Sequence, residues 1–312
     1  MTGGDEACLT AVPREPGTMR THRNFPSFTE GHMTLIKRKS IEAEAFVGDE
    51  RAARAPRPAY QPRFAPVTFS EQGGVRYLHF GTEWVQGAMR LSKPDRIELE
   101  YAQQMMAWLL FMRAPKHVVQ LGLGTGSITK FSHQHFPRTQ VTAVELNPAV
   151  VVAARTMFSL PDDSRHLKVL EADAWDFVTD TANHGSVDVL QVDLYDATAR
   201  GPVHDTPAFY KACRATLREP GMLTMNLFGD HDSYPKNIRR LRQAFDNRVI
   251  EFPEVHDGNV IVLAFNGPLL SVEWKDVEAR AKVVEAATGL PAKRWVKQLR
   301  SANGDGGPVL TI

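Results

Sequence analysis

The stretch VVQLGLGTGS, residues 118–127, places three glycines directly after an apolar run. Gly122, Gly124 and Gly126 permit a tight turn and a close approach of the backbone to a ligand, because glycine has no Cβ. A helix that begins after this turn offers free N–H donors at its N-terminus. The pattern therefore predicts a strand, a ligand-facing glycine loop and a helix, in that order.

Short apolar runs alternate with helical patterns around and after this loop. The runs are 118–121, 141–144, 167–170, 187–192 and 222–227, and a helical pattern follows each one. This alternation predicts a parallel sheet with helices on both faces. Two later runs, RVIEF and NVIVLAF, are separated too briefly for a helical crossover, so they are expected to pair antiparallel. We expect an α/β fold with a Rossmann-like, doubly wound seven-stranded sheet: five parallel strands and an antiparallel C-terminal hairpin.

Other segments divide the chain. The stretch 67–91 alternates apolar and polar residues around Gly73-Gly74, which predicts a small β-hairpin domain before the main sheet. From Pro94, apolar residues at three- and four-residue steps predict a helix that contains Tyr101 and continues to Met112. The expected divisions are an N-terminal tail (1–65), the hairpin domain (66–93), the Rossmann-like domain (94–290) and a C-terminal tail (291–312).

The composition excludes several classes of protein. The net charge of +1 over 312 residues does not indicate a nucleic-acid or membrane partner. The two cysteines, Cys8 and Cys213, are too few for a disulfide framework or a zinc site, so we expect no metal. No apolar run approaches the ~20 residues that span a bilayer, and the N-terminus lacks a signal-peptide pattern. We expect a cytoplasmic protein with a small-molecule substrate.

Acidic residues follow the second and third predicted strands. Glu145 ends the second strand, 23 residues after Gly122, where a carboxylate accepts hydrogen bonds from ribose hydroxyls. Asp173-Ala174 ends the third strand, where an acid can accept a hydrogen bond from an adenine amino group. Ser127 stands where the dinucleotide fingerprint requires its third glycine, so the GxGxG loop and the two acids predict a site for an S-adenosyl-type nucleoside.

The loop after the fourth strand carries two more acids, Asp193 and Asp196. An amine is a cation at neutral pH and must lose a proton before it attacks an S-alkyl carbon. A carboxylate pair can bind that cation and accept the proton. Loop acids are also commonly solvated, so this pair is a hypothesis for the catalytic site.

Together these motifs resemble those of the spermidine synthases (polyamine aminopropyltransferases), over residues 67–265. The hairpin domain, the glycine loop, the strand-end acids and the Asp193/Asp196 loop occur in the family's order. "YAQQMM" keeps the family's glutamine as Gln103 but has Ala102 at its tyrosine position, with Tyr101 one residue earlier. The Asp193/Asp196 loop then leads into Phe209-Tyr210, as in the family.

The resemblance implies transfer of an aminopropyl group from decarboxylated S-adenosylmethionine to an amine or polyamine, in a homodimer. It implies a donor site of Gln103, the glycine loop with Thr125, Glu145, Asp173 and Ala174. It implies Asp193 as the base and Asp196, Tyr101 and Tyr210 at the amine substrate.

One difference from the family's glycine loop leaves the type of transfer reaction undecided. Thr125 replaces the family's loop aspartate, which would attract the cationic amine of the decarboxylated donor and repel a carboxylate. Thr125 is neutral and can donate a hydrogen bond to a carboxylate, which favours intact S-adenosylmethionine and hence a methyltransferase. A non-catalytic nucleoside-binding module is the third alternative.

Overall fold

The computed structural model describes residues 64–195, 204–255, 258–304 and 306–312. Asp196 and nearly all of the expected N-terminal tail lie outside these residues. Within them, no helix is both long enough and apolar enough to cross a membrane.

A three-stranded antiparallel sheet begins the described chain. It contains β1 (Val67–Gln72), β2 (Val75–Phe80) and β3 (Gly87–Arg90), in that spatial order. Gly73 and Gly74 form the β1–β2 turn with φ of +59° and +75°, which two-residue hairpin turns require. Leu78 and Met89 bury their side chains against Phe158 of the main domain. The expected hairpin domain is therefore present and packs on the larger domain, since so small a sheet is marginal by itself.

The main sheet contains seven strands: β4 (His117–Leu121), β5 (Gln140–Glu145), β6 (Leu167–Glu171), β7 (Val187–Val192), β8 (Leu217–Phe228), β9 (Val249–Glu251) and β10 (Asn259–Asn266). Their spatial order is β6-β5-β4-β7-β8-β10-β9. Strands β4 to β8 are parallel, and β10 is antiparallel to both β8 and β9. This confirms the expected doubly wound sheet with its antiparallel C-terminal hairpin.

Helices cover both faces of this sheet, so its strands bury neighbouring side chains on opposite sides. Val189 faces a core shared with the two helices near the C-terminus, whereas Leu190 faces a core shared with the helices that follow β6, β7 and β8. The helices are α1 (Glu100–Gln104), α2 (Ser127–His135), α3 (Pro148–Met157), α4 (Ala174–Thr179), α5 (Pro207–Thr216), α6 (Tyr234–Ala244), α7 (Trp274–Thr288) and α8 (Ala292–Asn303).

The segment after Pro94 differs from its expected single helix. It forms the short α1 and a separate 3-10 helix, Ala107–Leu110. Residues 105–110 are all buried, at 5% exposure or less. A regular helix on a protein surface keeps one polar face in water, and this all-apolar run has none, so tertiary packing determines its backbone.

The C-terminal segment also differs from the tail expected at 291–312. In α8, Trp295, Val296 and Leu299 are buried against the core. Beyond it, β12 (Val309–Thr311) pairs antiparallel with β11 (Ser271–Glu273). The segment is therefore part of the fold, because its apolar residues recur at helical spacing and face a core that would otherwise be open.

Candidate active site

A cavity of about 1100 Å³ lies at the carboxyl ends of the parallel strands. Its walls come from the glycine loop, the ends of β5 to β8, the segment 83–86 of the small sheet and residues 99 and 101. Open α/β sheets bind their ligands at this edge.

The glycine loop has the backbone geometry that its sequence predicts. Gly122 has a φ of +86°, and a Cβ there would lie 2.1 Å from the carbonyl oxygen of Asp193. Gly124 has a φ of +53° and, like Gly122, lines the cavity. Gly126, with a φ of +68°, is the N-cap of α2 and packs against Leu160 instead. Two of the three glycines therefore face the cavity.

Thr125 does not line the cavity. It is 3% exposed, and a Cβ on Gly87 of β3 would lie 2.6 Å from its Cγ2. The side chain thus fills the contact between the glycine loop and the small sheet. This differs from the expected contact with the donor, because the tertiary packing of β3 covers the position.

Glu145 lies at the end of β5, and its carboxylate joins the loop to the next helix. Its Oε2 accepts a hydrogen bond from the Leu123 N–H at 2.9 Å, and its Oε1 accepts one from the Asn147 N–H at 2.8 Å. Burial raises the pKa of Glu145, and these backbone hydrogen bonds oppose that rise. The backbone N–H groups of Gly124 and Leu146 also lower the pKa of Glu145 by hydrogen bonding, and the residue lines the cavity.

Asp173 and Ala174 line the cavity at the end of β6. Asp173 is the N-cap of α4, and its Oδ1 accepts a hydrogen bond from the Trp175 N–H at 2.8 Å. The Nε2 atom of His204 lies 3.4 Å from the same oxygen. The His204 ring stacks on Phe209 with a centroid separation of 5.0 Å and also lines the cavity.

Asp193 follows β7, and its carboxyl group is held by two elements of the fold. The Asn226 Nδ2 donates to its Oδ1 at 2.9 Å, and the Tyr101 side chain makes a second hydrogen bond to it. Burial raises the pKa of Asp193 to about 6, and these two hydrogen bonds oppose the rise. A carboxylate of this pKa is ionised at neutral pH and can accept a proton within the cavity.

Besides Thr125 and Gly126, two described residues with predicted roles at the site do not line the cavity. Gln103 turns back on its own segment, where its Nε2 donates to the Ile97 carbonyl at 2.8 Å, and it does not line the cavity. Tyr210 is fully buried in the core that packs on α5, and its hydroxyl has no hydrogen-bond partner among the described residues. The core around α5 encloses Tyr210, whereas the hydrogen bond to Ile97 holds the half-buried Gln103 on its own segment.

Comparisons with known proteins agree with this architecture. No family model matches the chain. A polyamine aminopropyltransferase from Chromobacterium violaceum is 34% identical over 250 residues, which cover 80% of this chain and 95% of that protein. The chain belongs to the polyamine aminopropyltransferase family.

Two solved structures have the same fold as this protein. A probable spermidine synthase from Corynebacterium glutamicum matches with a TM-score of 0.61 at 18% identity, covering 81% of this chain and 98% of that one. Human Methyltransferase-like protein 13 in complex with SAH matches with a TM-score of 0.54 at 23% identity, covering 62% and 93%.

Several residues that line the cavity were not indicated by the sequence alone. Asn226 lies two residues before the end of β8, and its position near the carboxyl end of a strand is the signal that could have indicated it. Glu83, Asp230 and Glu254 lie in connecting segments with no motif around them. Only the tertiary structure brings these acids to one cavity.

The lining of the cavity has one dominant charge. Among its described residues, none is lysine or arginine, and six are acidic: Glu83, Glu145, Asp173, Asp193, Asp230 and Glu254. The described residues contain no cluster of three or more potential metal ligands. An acidic, partly aromatic cavity of this kind favours cationic ligands.

Proposed function

We propose that the protein transfers the aminopropyl group of decarboxylated S-adenosylmethionine to an amine, in polyamine biosynthesis. The observation that carries this proposal is the acidic cavity with Asp193 in its wall. Both reactants are cations, since the donor is a sulfonium with a free amine and the acceptor arrives as an ammonium. The membership of the polyamine aminopropyltransferase family supports the same reaction.

The nucleoside of the donor is proposed to lie along the ends of β4 to β6. Asp173 and Ala174 would face the adenine, and Glu145 would accept hydrogen bonds from the ribose hydroxyls. The backbone of Gly122 and Gly124 would border the sulfonium end.

Asp193 is proposed as the base. It takes one proton from the acceptor's ammonium, the freed nitrogen lone pair forms a bond to the aminopropyl carbon, and the C–S bond breaks. The products are the alkylated amine and methylthioadenosine. Because the sulfonium is already a good leaving group, the protein's remaining contribution to the rate is mainly to orient the amine nitrogen toward the aminopropyl carbon. The family resemblance assigns Asp196 to the same amine, and Tyr101 borders the position through its hydrogen bond to Asp193.

Turnover of decarboxylated S-adenosylmethionine with 1,4-diaminobutane tests the proposal. We expect formation of methylthioadenosine and the alkylated amine in equal amounts. We expect Asp193→Asn to abolish product formation and to leave donor affinity nearly unchanged. Full turnover by this variant would exclude Asp193 as the base.

Methyl transfer from intact S-adenosylmethionine is the second candidate, and position 125 favours it. Thr125 is neutral and packs on Gly87, so it supplies no carboxylate that would exclude the amino-acid form of the donor. The neutral residue Gln86 lines the cavity beside the glycine loop, where a Cβ on Gly124 would lie 3.4 Å from its carbonyl oxygen.

Calorimetric titration with the two donors side by side separates the candidates. Binding of the decarboxylated form alone would exclude the methyltransferase, and a preference for the intact form would exclude aminopropyl transfer. Thr125→Val is the matched control, because it keeps the packing volume against Gly87 and removes only the hydroxyl. Since Thr125 is buried, we expect Thr125→Val to leave the donor preference unchanged.

We also propose a cytoplasmic homodimer, in keeping with the family resemblance. A small sheet with an exposed outer strand supports the dimer, since β1 is exposed along most of its length. Light scattering at micromolar concentration tests it, and a monomeric mass would exclude it.

A further inference from the structure

Asn226 of β8 donates a hydrogen bond to the carboxyl group of Asp193, which follows the neighbouring strand β7. Strands β7 and β8 pair in parallel register up to Val192 and Met225, so the next residues of both strands come out side by side at the cavity. Asn226 is 3% exposed, and its Nδ2 lies 2.9 Å from Asp193 Oδ1. The pairing of the strands therefore places an amide donor beside the base.

The orientation of this amide follows from its partner. An ionised carboxylate only accepts hydrogen bonds, so Asn226 must present its NH₂ group and turn its Oδ1 away. That Oδ1 is buried and has no hydrogen-bond partner among the described residues. A buried acceptor without a partner is unfavourable, and an apolar side chain would avoid it. The hydrogen bond to Asp193, rather than packing within β8, therefore accounts for an amide side chain at this position.

A tyrosine fixes the backbone that carries this amide. The Tyr195 hydroxyl donates to the main-chain carbonyl of Asn226 at 2.9 Å, and its ring lies edge-on to Phe228. Tyr195 comes two residues after Asp193, so the loop that carries the base also fastens the end of β8. The three residues form a closed link between the two strand ends.

We infer that Asn226 is a positioning residue that occupies one oxygen of the Asp193 carboxylate and so directs the other oxygen to the incoming amine, with Tyr195 holding Asn226 in place. This inference rests on the proposed function, in which Asp193 accepts the proton of the amine.

The effect of the Asn226 hydrogen bond on Asp193 can be measured as a change in the pKa of Asp193. Burial raises its pKa, while Asn226 and Tyr101 lower it by hydrogen bonding. The titratable groups that face it are Tyr101 and Tyr195, and the remaining acids of the cavity wall lie on other segments: Glu83, Glu145, Asp173, Asp230 and Glu254. Loss of the Asn226 donor removes one of the two groups that oppose the burial effect. The pKa of Asp193 should therefore rise.

The test compares Asn226→Leu with Asn237→Leu. Asn237 is also buried, also uses its Nδ2 in one hydrogen bond and also leaves its Oδ1 without a described partner, but it lies on α6 away from the cavity. In Asn226→Leu we expect the acid limb of the kcat/KM profile for 1,4-diaminobutane to move up by about one to two pH units, as for a lost hydrogen bond to a charged group. We expect kcat at pH 7 to fall about tenfold or more, and Asn237→Leu to retain the wild-type profile.

A second measurement needs no turnover. Carbon-13 labelled aspartate carboxyl groups are titrated by NMR in the presence of methylthioadenosine, and the Asp193 signal is assigned by its loss in Asp193→Asn. A rise in the Asp193 pKa in Asn226→Leu alone supports the inference. An unchanged pKa, or equal changes in both leucine variants, overturns it. Absence of aminopropyl transfer by the wild-type protein would refute the proposed function separately, because this titration would still decide the role of Asn226.

Discussion

Replacing Asp193 with asparagine is expected to stabilise the folded chain at neutral pH while it abolishes turnover. The fold holds this carboxyl in a buried position, which raises its pKa from 3.8 to about 6. The folded state therefore binds the proton more tightly than the unfolded chain does. Ionisation at neutral pH opposes folding, and an uncharged isostere removes that opposition.

The sign and size follow from the two pKa values. Below about pH 3.8 the carboxyl is protonated in both states, so the residue has no effect on the pH dependence of stability. Between about pH 3.8 and 6 the unfolded chain loses its proton first, and the free energy of unfolding falls as pH rises. Each pKa unit corresponds to about 1.4 kcal/mol, so the total is at most about 3 kcal/mol. Because the residue borders a cavity that admits water, we expect about 1–3 kcal/mol.

Urea unfolding at several pH values between 4 and 8, followed by tryptophan fluorescence, measures this difference. The asparagine variant should match the wild-type protein near pH 4 and exceed it above pH 6. Asp162→Asn is the matched control, because the Asp162 side chain is 92% exposed, and it should change stability by less than about 0.5 kcal/mol. A variant that is less stable than wild type at pH 7.5, or a difference that does not vary with pH, would refute the reasoning.

Three further substitutions examine the site. Gly122→Ala should abolish turnover and destabilise the chain by at least about 1–2 kcal/mol, because its φ is +86° and the new Cβ meets the Asp193 carbonyl. Gly185 has a φ of +59° and open space around it, so Gly185→Ala in unfolding assays measures the effect of the backbone strain alone. Glu145→Gln should weaken donor binding about 10- to 100-fold by calorimetry, since it removes a charged acceptor, and unchanged affinity would argue against ribose recognition there. Tyr210→Phe should leave the KM for the amine unchanged and the stability of the fold equal or higher, because the lost hydroxyl has no hydrogen-bond partner among the described residues. A raised KM would show that Tyr210 contacts the substrate after all.

Local patterns were sufficient for much of the fold. Strand β7 is predicted at 187–192 and occurs with those limits, and helix α2 follows the glycine loop as its sequence predicts. The reason is that the glycine loop, strand periodicity and helix periodicity are properties of neighbouring residues. Glu145 and Asp173 were found by the same means, because the carboxyl ends of parallel strands meet at one edge of the sheet.

The exposure of side chains could not be predicted in this way. Thr125 follows a glycine that lines the cavity, yet β3 covers it, and Gln103 is turned away by a hydrogen bond within its own segment. The C-terminal residues 291–312 were expected to form a tail, yet α8 and β12 pack on the core. The positions of Thr125 and of the C-terminal segment arise from contacts with residues distant in the sequence, whereas the hydrogen bond of Gln103 is local.

By itself the sequence determined the doubly wound sheet, the ligand edge and the family resemblance, because periodicity and motif spacing are local. The tertiary structure alone decided which motif residues reach the cavity. It also assembled the acidic lining from separate segments and set Asn226 beside Asp193. Those features depend on strand register and on the packing of the small sheet over the loop, and both are fixed only when distant parts of the chain are buried together.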